Sequence, residues 1–352
     1  MIYIHIPFCK SFCRYCGFYS ECYGEGDGSV EAFEKNLMAE IQRRRGEDPG
    51  PVKTVYIGGG TPSVLPLSVL ERIVGALPAG SYDEFTVEVN PEDIVTRGME
   101  YVRGLRSLGV NRVSMGVQSL SDEVLRWMHR RHTAERAVEA FRMLREGGFD
   151  NVSLDVIFGV AGFPDAVLEE TMEGIIRLGP EHLSCYQLSV EEGSELAEMV
   201  AGGSYVEASE EVCRSQYSLI CRMLADAGYR HYEISSWARP GYEAVHNSAY
   251  WRRVPYIGFG PGAHSFDGKR RSWNSETLPS WEASSEVLSE EDAAVERVML
   301  ALRTADGILR EELPREACER LISEGALAVE GDRVRIPEER FFVSDDIIRQ
   351  LI

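Results

Sequence analysis

Three cysteines lie close together near the start of the chain, in the stretch HIPFCKSFCRYCGFYS (5–20). Cys9, Cys13 and Cys16 are separated by three and then two residues, and the position two after Cys16 is Phe18 rather than a fourth cysteine. Thiolates favour iron–sulfur clusters or zinc over hard cations. Structural zinc is usually enclosed by four ligands, and no second cysteine pair follows at a suitable distance. The spacing therefore predicts a [4Fe–4S] cluster with one iron open to a further ligand.

Candidate ligand-binding residues lie near the ends of the predicted strands that follow. The turn GGGTP (58–62) ends one strand, and its glycines either let the backbone approach a ligand or simply form a tight turn before a helix. Glu88 and Gln118 lie near the ends of the next two strands. Asp155 lies inside the apolar stretch SLDVIFG, where a carboxylate is costly unless it is paired or hydrogen-bonded. A binding role for Asp155 is therefore favoured over a structural one.

An arginine pair supplies the candidate counter-ion for a ligand carboxylate. Arg130, in MHRRHT, is the first choice because a guanidinium can bond two carboxylate oxygens at once, and its neighbour Arg131 is the competitor. In a parallel barrel, the carboxyl ends of all strands open on one rim, where binding sites form. We therefore expect the cysteine loop, the glycine turn, Glu88, Gln118 and Asp155 to converge on a single pocket.

Two aromatic clusters contain the remaining candidates. Tyr3 and His5 alternate with isoleucines on the first strand and so share one face of it. His5 is either a site residue or a hydrogen-bonded core histidine. The stretch HNSAYW places His246 beside two aromatic rings, a combination that can hold a flat ring with the histidine as an axial iron ligand. The alternative is that Tyr250 and Trp251 close an open barrel while His246 bonds a backbone carbonyl.

The elements that would position these residues alternate between strand and helix. Runs rich in β-branched and aromatic residues predict six strands, and apolar residues at three-and-four spacing predict helices between them. The predicted strands cover 1–7, 52–60, 85–91, 112–118, 151–160 and 183–190, and the helices cover 31–45, 67–77, 99–108, 134–147 and 166–178. Successive β–α units predict a parallel sheet with right-handed crossovers. Because six strands are two short of a full barrel, we expect an α/β fold with an incomplete (β/α)6 TIM-like barrel.

Three segments differ in composition and predict three units. Residues 1–228 contain the predicted partial barrel. Residues 229–283, rich in aromatic residues, glycine and histidine, contain HNSAYW and predict an extension that closes the barrel. Residues 284–352 change to helix, helix and hairpin, with the turn at EGD, which predicts a small C-terminal winged-helix-like module.

Bulk properties limit the partners. The chain has 352 residues and a formal net charge of −20, which disfavours nucleic acid. No stretch approaches the roughly 18 uninterrupted apolar residues of a membrane span, and the N-terminus lacks the features of a secretory signal. We therefore expect a cytoplasmic protein, in which the eight cysteines serve as metal ligands and buried thiols rather than disulfides.

An ordered set of motifs resembles a known family. CxxxCxxC after the first strand resembles the radical S-adenosylmethionine (SAM) superfamily, and the further motifs YIHIPFC, YIGGGTPS, EVNPE, SMGVQS, LDVIFG and HNSAYW resemble its branch of coproporphyrinogen dehydrogenases and haem chaperones. The resemblance implies that the three cysteines hold a [4Fe–4S] cluster whose open iron binds the amino and carboxylate groups of SAM. It also implies a haem-binding role for His246. The implied SAM-binding residues are Tyr3, Tyr15, Gly59, Gly60, Thr61, Glu88, Gln118, Arg130 and Asp155.

The branch contains two activities that share a fold and cofactors. The dehydrogenases resembled here carry a CxxxCxxCxC motif and a longer N-terminal arm, whereas this chain has Phe18 at the fourth position and eight residues before Cys9. The resemblance therefore favours a haem chaperone that delivers haem to acceptors such as respiratory proteins. The alternative is an oxygen-independent coproporphyrinogen III dehydrogenase, which decarboxylates propionates to vinyl groups through a 5′-deoxyadenosyl radical.

Overall fold

The computed structural model describes residues 1–24, 26, 28–47 and 52–352 as an alternation of strands and helices. The strands are β1 (Ile2–Ile6), β2 (Phe8–Cys9), β3 (Glu21–Cys22), β4 (Thr54–Gly59), β5 (Glu84–Val89), β6 (Arg112–Gln118), β7 (Val152–Phe158), β8 (His182–Gln187), β9 (Arg230–Glu233), β10 (Ser236–Ala238), β11 (Ile257–Phe259), β12 (His264–Phe266), β13 (Arg270–Asn274), β14 (Ala283–Val287), β15 (Ile308–Leu309), β16 (Ala328–Glu330) and β17 (Arg333–Arg335). The helices are α1 (Ser29–Arg43), α2 (Leu67–Gly75), α3 (Pro91–Ser107), α4 (Asp122–Trp127), α5 (Ala134–Glu146), α6 (Asp165–Leu178), α7 (Glu195–Ala201), α8 (Glu210–Asp226), α9 (Val245–Trp251), α10 (Glu290–Ala301), α11 (Arg315–Ser323) and α12 (Ser344–Ile348).

A nine-stranded sheet forms the centre of the fold, in the order β11-β1-β4-β5-β6-β7-β8-β10-β9. β1, β4, β5, β6, β7 and β8 run parallel to one another, which confirms the six predicted strands and the incomplete (β/α)6 barrel. β11 extends the sheet in parallel beside β1, whereas β10 and β9 extend it in antiparallel beyond β8. Both additions come from the aromatic-rich segment that follows residue 228.

The parallel strands carry polar residues on one face and apolar residues on the other. Across the sheet Glu88 lies level with Ser114, and Asp155 lies level with Ser184. The residues that alternate with these polar residues along each strand, such as Val87 on β5, are buried in the main hydrophobic core. Burial of each large apolar side chain there contributes about 1.5–3 kcal/mol. The apolar face therefore packs against the helices and leaves the polar face inside the barrel.

Four of the five predicted helices, now α1, α2, α5 and α6, are confirmed within two residues at each end. The fifth, predicted over 99–108, begins earlier, because α3 starts at Pro91. Asn90 caps α3 by accepting a hydrogen bond from the Glu92 N–H at 3.0 Å. Gly98, with φ 74°, interrupts the regular helical geometry within α3, so the apolar spacing marked only its second part. The helices α4, α7, α8, α9 and α12 were not predicted.

The chain after β11 adds two antiparallel sheets and the last helices. One sheet contains β12, β13 and β14, and the other contains β15, β17 and β16. The predicted hairpin is present, because β16 and β17 pair around a turn at Gly331 and Asp332. The predicted boundary between residues 283 and 284 falls within β14, which pairs with β13.

The C-terminal segment packs onto the rest of the protein. Val298, Phe341 and Leu351 belong to the same buried hydrophobic cluster as Ile2 of β1. The division into three units and the winged-helix comparison stay predictions. Within residues 1–24, 26, 28–47 and 52–352, no helix is both long enough and apolar enough to span a membrane.

Candidate cofactor site

A cavity of about 620 Å³ lies at the carboxyl ends of the parallel strands. Its wall contains all the predicted cluster ligands and every predicted SAM residue except Tyr3. These wall residues are Cys9, Cys13, Tyr15, Cys16, Gly59, Gly60, Thr61, Glu88, Gln118, Arg130 and Asp155. The predicted convergence on a single pocket is therefore confirmed, whereas the ligands that these residues bind stay predictions.

The three cysteines lie on one wall of this cavity, in the loop after β1. The Cys9 thiol is 3.3 Å from Thr61 Oγ1, and Arg130 Nη1 donates to Cys13 Sγ at 3.3 Å. Burial raises the pKa of Cys16 to about 11, so its thiol keeps its proton until a metal displaces it.

The donor set fits an iron–sulfur cluster, because three soft thiols face one cavity beside a guanidinium. Each thiolate of a four-iron cluster binds a different iron, so such thiolates need not meet at one point. Among the described residues, no three His, Cys, Asp or Glu side chains gather as ligands of a single metal ion would.

A buried histidine ties the cysteine loop to the barrel. His5 Nε2 donates to the Tyr19 carbonyl at 2.9 Å, and Nδ1 accepts from the Tyr3 hydroxyl at 3.0 Å. Burial lowers the pKa of His5, so the ring is neutral and both nitrogens are used. His5 is thus a hydrogen-bonded core histidine that anchors the loop. Tyr3 is not among the residues that line the cavity, and its ring packs beside the cavity residue Tyr56 at 6.1 Å, so its contact with SAM stays a prediction.

The glycine turn after β4 is shaped by its protein neighbours. Gly59 has φ 109°, and a Cβ there would lie 2.6 Å from the His5 ring, so only glycine fits. The N–H groups of Gly60 and Thr61 donate at 2.8 Å to the carbonyl oxygens of Ile6 and Phe8. An ammonium group donates hydrogen bonds and needs acceptors, so any contact of this turn with the SAM amino group would use carbonyl oxygens rather than these N–H groups.

Two buried carboxylates face the cavity. Glu88 accepts hydrogen bonds from the Tyr56 hydroxyl at 2.7 Å and from the Gly59 N–H at 3.1 Å. Both oxygens of Asp155 lie 3.4 Å from the Ser114 hydroxyl. Burial raises the pKa of Glu88 to about 7 and that of Asp155 to about 6, and repulsion from Asp155 adds to the shift of Glu88. When ionised, both carboxylates can accept hydrogen bonds from the hydroxyl groups of a ligand.

Buried polar atoms in the cavity wall are left without protein partners. Within the described residues, Gln118 Oε1 and Arg130 Nε have no hydrogen-bond partner. Gln118 lies at a register shift between β6 and β7 with φ 65°, a left-handed conformation that residues other than glycine rarely adopt. Arg131 differs from Arg130, because it bonds both oxygens of buried Asp93 at 3.1 and 2.8 Å. Arg130 is therefore the arginine of the pair that retains a donor for a ligand.

Comparisons with known proteins agree with this geometry. Residues 3–175 match the model of the Radical SAM superfamily. The heme chaperone HemW of Mycobacterium tuberculosis (strain ATCC 25618 / H37Rv) is 32% identical over 100% of this chain and 94% of its own. The heme chaperone HemW of Lactococcus lactis subsp. lactis (strain IL1403) is 30% identical over 99% of this chain and 96% of its own. The chain belongs to the HemW family of radical SAM proteins.

A solved structure shows the same fold as this HemW-family chain. The coproporphyrinogen III oxidase HemN of Escherichia coli, a radical SAM enzyme, superposes with a TM-score of 0.83 over 99% of this chain and 89% of its own, at 20% identity. Membership of the radical SAM superfamily implies an iron–sulfur cluster and SAM. The thiols, the orphaned amide oxygen and the orphaned guanidinium nitrogen of the cavity wall fit these two groups.

The HNSAYW stretch of this HemW-family chain forms α9, at the end of the barrel opposite the cysteines. The N–H groups of Val245 and His246 donate to Glu84, at the start of β5, at 2.7 and 3.1 Å. His246 is fully buried, with Nδ1 2.8 Å from the Thr54 hydroxyl and Nε2 2.9 Å from the Tyr250 hydroxyl. Both ring nitrogens are occupied by protein hydroxyl groups, and His246 does not line the barrel cavity, so its role as an axial ligand stays a prediction.

Sequence reasoning missed the polar floor of the cavity in this HemW-family barrel. Tyr56, Arg112 and Ser184 line it beside the predicted residues. Arg112 is only 1% exposed, and its Nε and Nη1 lack hydrogen-bond partners within the described part of the chain. A sequence pattern could have predicted this polar floor. Polar and apolar residues alternate in four of the strand sequences, TVYIG, EFTVEV, RVSMGVQ and HLSCYQ. A period of two on adjacent parallel strands predicts a polar barrel interior.

Proposed function

We propose that the protein is a cytoplasmic haem chaperone, which binds haem and passes it to acceptors such as respiratory proteins. The observation that carries this proposal is the 30–32% identity to heme chaperones over 99–100% of the chain. Phe18 supports it, because its exposed side chain lines the cavity at the position where a dehydrogenase of the resembled type would carry a fourth cysteine.

Within this proposal, the barrel cavity holds the two cofactors. Cys9, Cys13 and Cys16 hold the cluster, which supplies redox chemistry towards SAM when it is bound. Arg130 binds the SAM carboxylate with the donor that the protein leaves unpaired.

The other wall residues orient SAM rather than react with it. Glu88 and Asp155 accept hydrogen bonds from its ribose hydroxyls, and Tyr56 holds Glu88 in place through a 2.7 Å hydrogen bond. Gln118 offers its free amide oxygen to a donor group of the bound molecule.

A second candidate function is oxygen-independent coproporphyrinogen III dehydrogenation. The fold similarity to HemN, with a TM-score of 0.83, is the observation in its favour. Its 20% identity is lower than the 32% identity to the M. tuberculosis heme chaperone, so the chaperone is the better-supported function.

The two functions are separated by one pair of assays on anaerobically reconstituted protein. In the first, the protein is loaded with haem and mixed with a haem-free acceptor protein, and haem transfer is followed by absorbance. In the second, it receives coproporphyrinogen III, SAM and a reductant. We expect stable haem binding and transfer, with no decarboxylated product. A Cys13→Ala variant serves as the control for cluster dependence.

Formation of protoporphyrinogen with consumption of SAM would replace the chaperone proposal with the dehydrogenase. Zinc in place of iron in anaerobically purified protein would remove the radical SAM assignment of the cavity. Both outcomes are read directly, by product analysis and by metal analysis.

A further inference from the structure

A second cavity, of about 750 Å³, lies beside α9. Its wall combines the end of α9 with residues of β9, α10 and the sheet of β15, β16 and β17. Asn247 of α9 lines the barrel cavity, whereas Trp251 at the end of the same helix lines this second cavity. The HNSAYW helix therefore contributes to both cavities.

Arginine dominates the wall of the second cavity, although the chain as a whole has a net charge of −20. Six arginines line it against three carboxylates, so positive charge is in excess. The arginines are Arg230, Arg252, Arg253, Arg297, Arg333 and Arg335. A concave surface lined by one sign of charge concentrates ligands of the opposite sign, so this arginine-lined cavity is suited to an anion.

Three of these arginines build the wall. Arg333 donates to the carbonyl oxygen of Asp306 at 2.9 Å, and Arg252 donates to the carboxylate of the same residue at 2.8 Å. Arg253 Nη1 donates to the Ala293 carbonyl at 3.1 Å. These guanidinium groups hold neighbouring backbone and loops together.

The other three arginines are held loosely. Arg230, Arg297 and Arg335 each meet one carboxylate, at 3.7, 3.5 and 3.4 Å respectively. A charge-assisted hydrogen bond between nitrogen and oxygen is usually about 2.7–2.9 Å long. Their side chains are 56%, 49% and 31% exposed, so these guanidinium groups can reorient towards an anion from solution.

The wall of the arginine-lined cavity also has an apolar part. Trp251 is half-buried there, and Ala301 also lines the cavity, whereas the side chains of Ile308 and Val334 are buried in the core. A tryptophan face stacks on flat rings, and guanidinium groups bind carboxylates through two parallel hydrogen bonds. The combination suits a flat aromatic molecule that carries carboxylates.

We propose that the arginine-lined cavity is the haem site. The two propionates pair with Arg230, Arg297 and Arg335, and the porphyrin ring packs on Trp251 and Ala301. This inference rests on the proposed haem-chaperone function and adds the location of the haem, which lies outside the cofactor cavity. It also gives the HNSAYW helix a role through Trp251 rather than through His246.

Recognition at this site uses the carboxylates and the ring rather than the iron. Among the described residues that form the wall, none is a histidine, cysteine or methionine. Iron-free protoporphyrin IX should therefore bind about as tightly as haem, whereas the protoporphyrin dimethyl ester, which lacks free carboxylates, should bind more weakly.

The test measures dissociation constants for haem, protoporphyrin IX and its dimethyl ester on the full chain by absorbance and fluorescence titration. The variant R230Q/R297Q/R335Q should weaken haem and protoporphyrin binding at least about tenfold and flatten the dependence of affinity on NaCl. The control variant R214Q/R315Q/R349Q removes three exposed arginines outside both cavities. Because it changes the net charge equally, it should bind like the parent.

The outcomes separate this inference from the function on which it rests. If the parent binds haem and the R230Q/R297Q/R335Q variant binds it equally well, the location is wrong and the chaperone proposal stands. If the parent does not bind haem, the chaperone proposal itself fails. Unchanged SAM binding by the variant verifies that it is folded, so a loss of haem binding is then specific to the arginine-lined cavity.

Discussion

Glu88 in the cofactor cavity has a pKa close to neutral pH. Burial raises its pKa to about 7, while hydrogen bonds from Tyr56 and Gly59 favour the ionised form. Only the ionised carboxylate has all its lone pairs available to ribose hydroxyls. The protonation state of this residue should therefore control how well SAM is held near neutral pH.

SAM affinity is expected to rise as the pH increases from 6 to 8, with a midpoint near the Glu88 pKa of about 7. The Glu88→Gln variant should bind SAM more weakly and lose this component of the pH dependence. Isothermal titration of reconstituted parent and variant at several pH values measures both effects. Parallel pH profiles for the two proteins would contradict the assignment of Glu88 to SAM.

The same raised pKa has a consequence for folding stability. The folded pKa of Glu88 lies above its ordinary value of 4.5, so its favourable contribution is complete below pH 4.5 and is lost as the pH rises through about 7. The free energy of unfolding of the parent, relative to Glu88→Gln, should fall over that range. Chemical denaturation of the parent and of Glu88→Gln at several pH values in this range measures the difference in the free energy of unfolding. It also verifies that both proteins are folded under the conditions of the binding measurements.

Arg130 and Arg131 are neighbours in sequence with different surroundings. Arg130 faces Cys13 and keeps an unpaired Nε, whereas Arg131 is committed to buried Asp93. Arg130→Gln should weaken SAM binding at least about tenfold. Arg131→Gln should instead lower the free energy of unfolding by about 1–3 kcal/mol, because the buried Asp93 carboxylate loses its guanidinium partner and keeps the Ser63 hydroxyl at 2.9 Å and Lys10 at 3.4 Å.

Each arginine variant is the control for the other. Titration with SAM measures the SAM affinity of each variant, and urea denaturation measures the free energy of unfolding of each. We expect Arg130→Gln to lose mainly affinity and Arg131→Gln to lose mainly stability. If Arg131→Gln lost SAM binding while Arg130→Gln kept it, the choice of Arg130 as the SAM ligand would be reversed.

At the scale of elements, α9 is a short helix whose position depends on long-range contacts. Its N-terminal N–H groups donate to Glu84 on β5, and His246 bonds Thr54 on β4. A carboxylate at a helix N-terminus accepts hydrogen bonds from the unpaired N–H groups there and is attracted to the positive end of the helix dipole. These contacts place the HNSAYW stretch across the floor of the barrel.

His246→Ala should destabilise the protein by about 2–4 kcal/mol, because it leaves a cavity and two buried hydroxyl groups without their partner. It should leave haem affinity close to that of the parent. Burial lowers the pKa of His246 to about 3, so its contribution to stability is present above pH 6.5 and declines as the pH falls towards 3. The cost of the substitution should therefore be smaller at pH 5 than at pH 7.5.

Thermal unfolding at the two pH values and haem titration at pH 7.5 check this prediction. A matched Tyr250→Phe variant removes one hydroxyl partner and keeps the imidazole. A loss of haem binding in folded His246→Ala, with binding retained in Tyr250→Phe, would instead support the axial-ligand role of His246.

At the scale of the whole molecule, one hydrophobic core connects the barrel to the C-terminal segment. Phe341 is buried and its ring lies 4.9 Å from that of His231 on β9. His231 in turn stacks on Trp237 of β10 at 4.1 Å. The end of the chain therefore completes the packing at one edge of the central sheet, and we expect the protein to unfold as a unit.

Phe341→Ala should lower the free energy of unfolding by about 3–5 kcal/mol. Phe18→Ala is the control, because Phe18 is 71% exposed and its removal should change stability by no more than about 0.5 kcal/mol. Denaturation followed by tryptophan fluorescence and by far-ultraviolet circular dichroism should give coincident transitions in all three proteins. Two separate transitions would show that the C-terminal segment folds independently.

Features that depend on local spacing could be predicted from the amino-acid sequence alone. The six parallel strands and four of the helices follow from apolar periodicity, and the CxxxCxxC loop follows from three positions within eight residues. The convergence of Glu88, Gln118 and Asp155 was also predictable, because the carboxyl ends of parallel strands share one rim.

Which polar groups have hydrogen-bond partners and which do not depends on contacts made in the folded chain. His246 meets Thr54 across 192 residues of sequence, and Arg230 and Arg335 reach one cavity from strands far apart in the chain. Hydrogen-bond saturation and charge accumulation arise from such long-range contacts, which local periodicity does not encode. Local periodicity therefore predicted neither the two hydrogen bonds of the His246 ring nor the arginine-lined cavity beside Trp251.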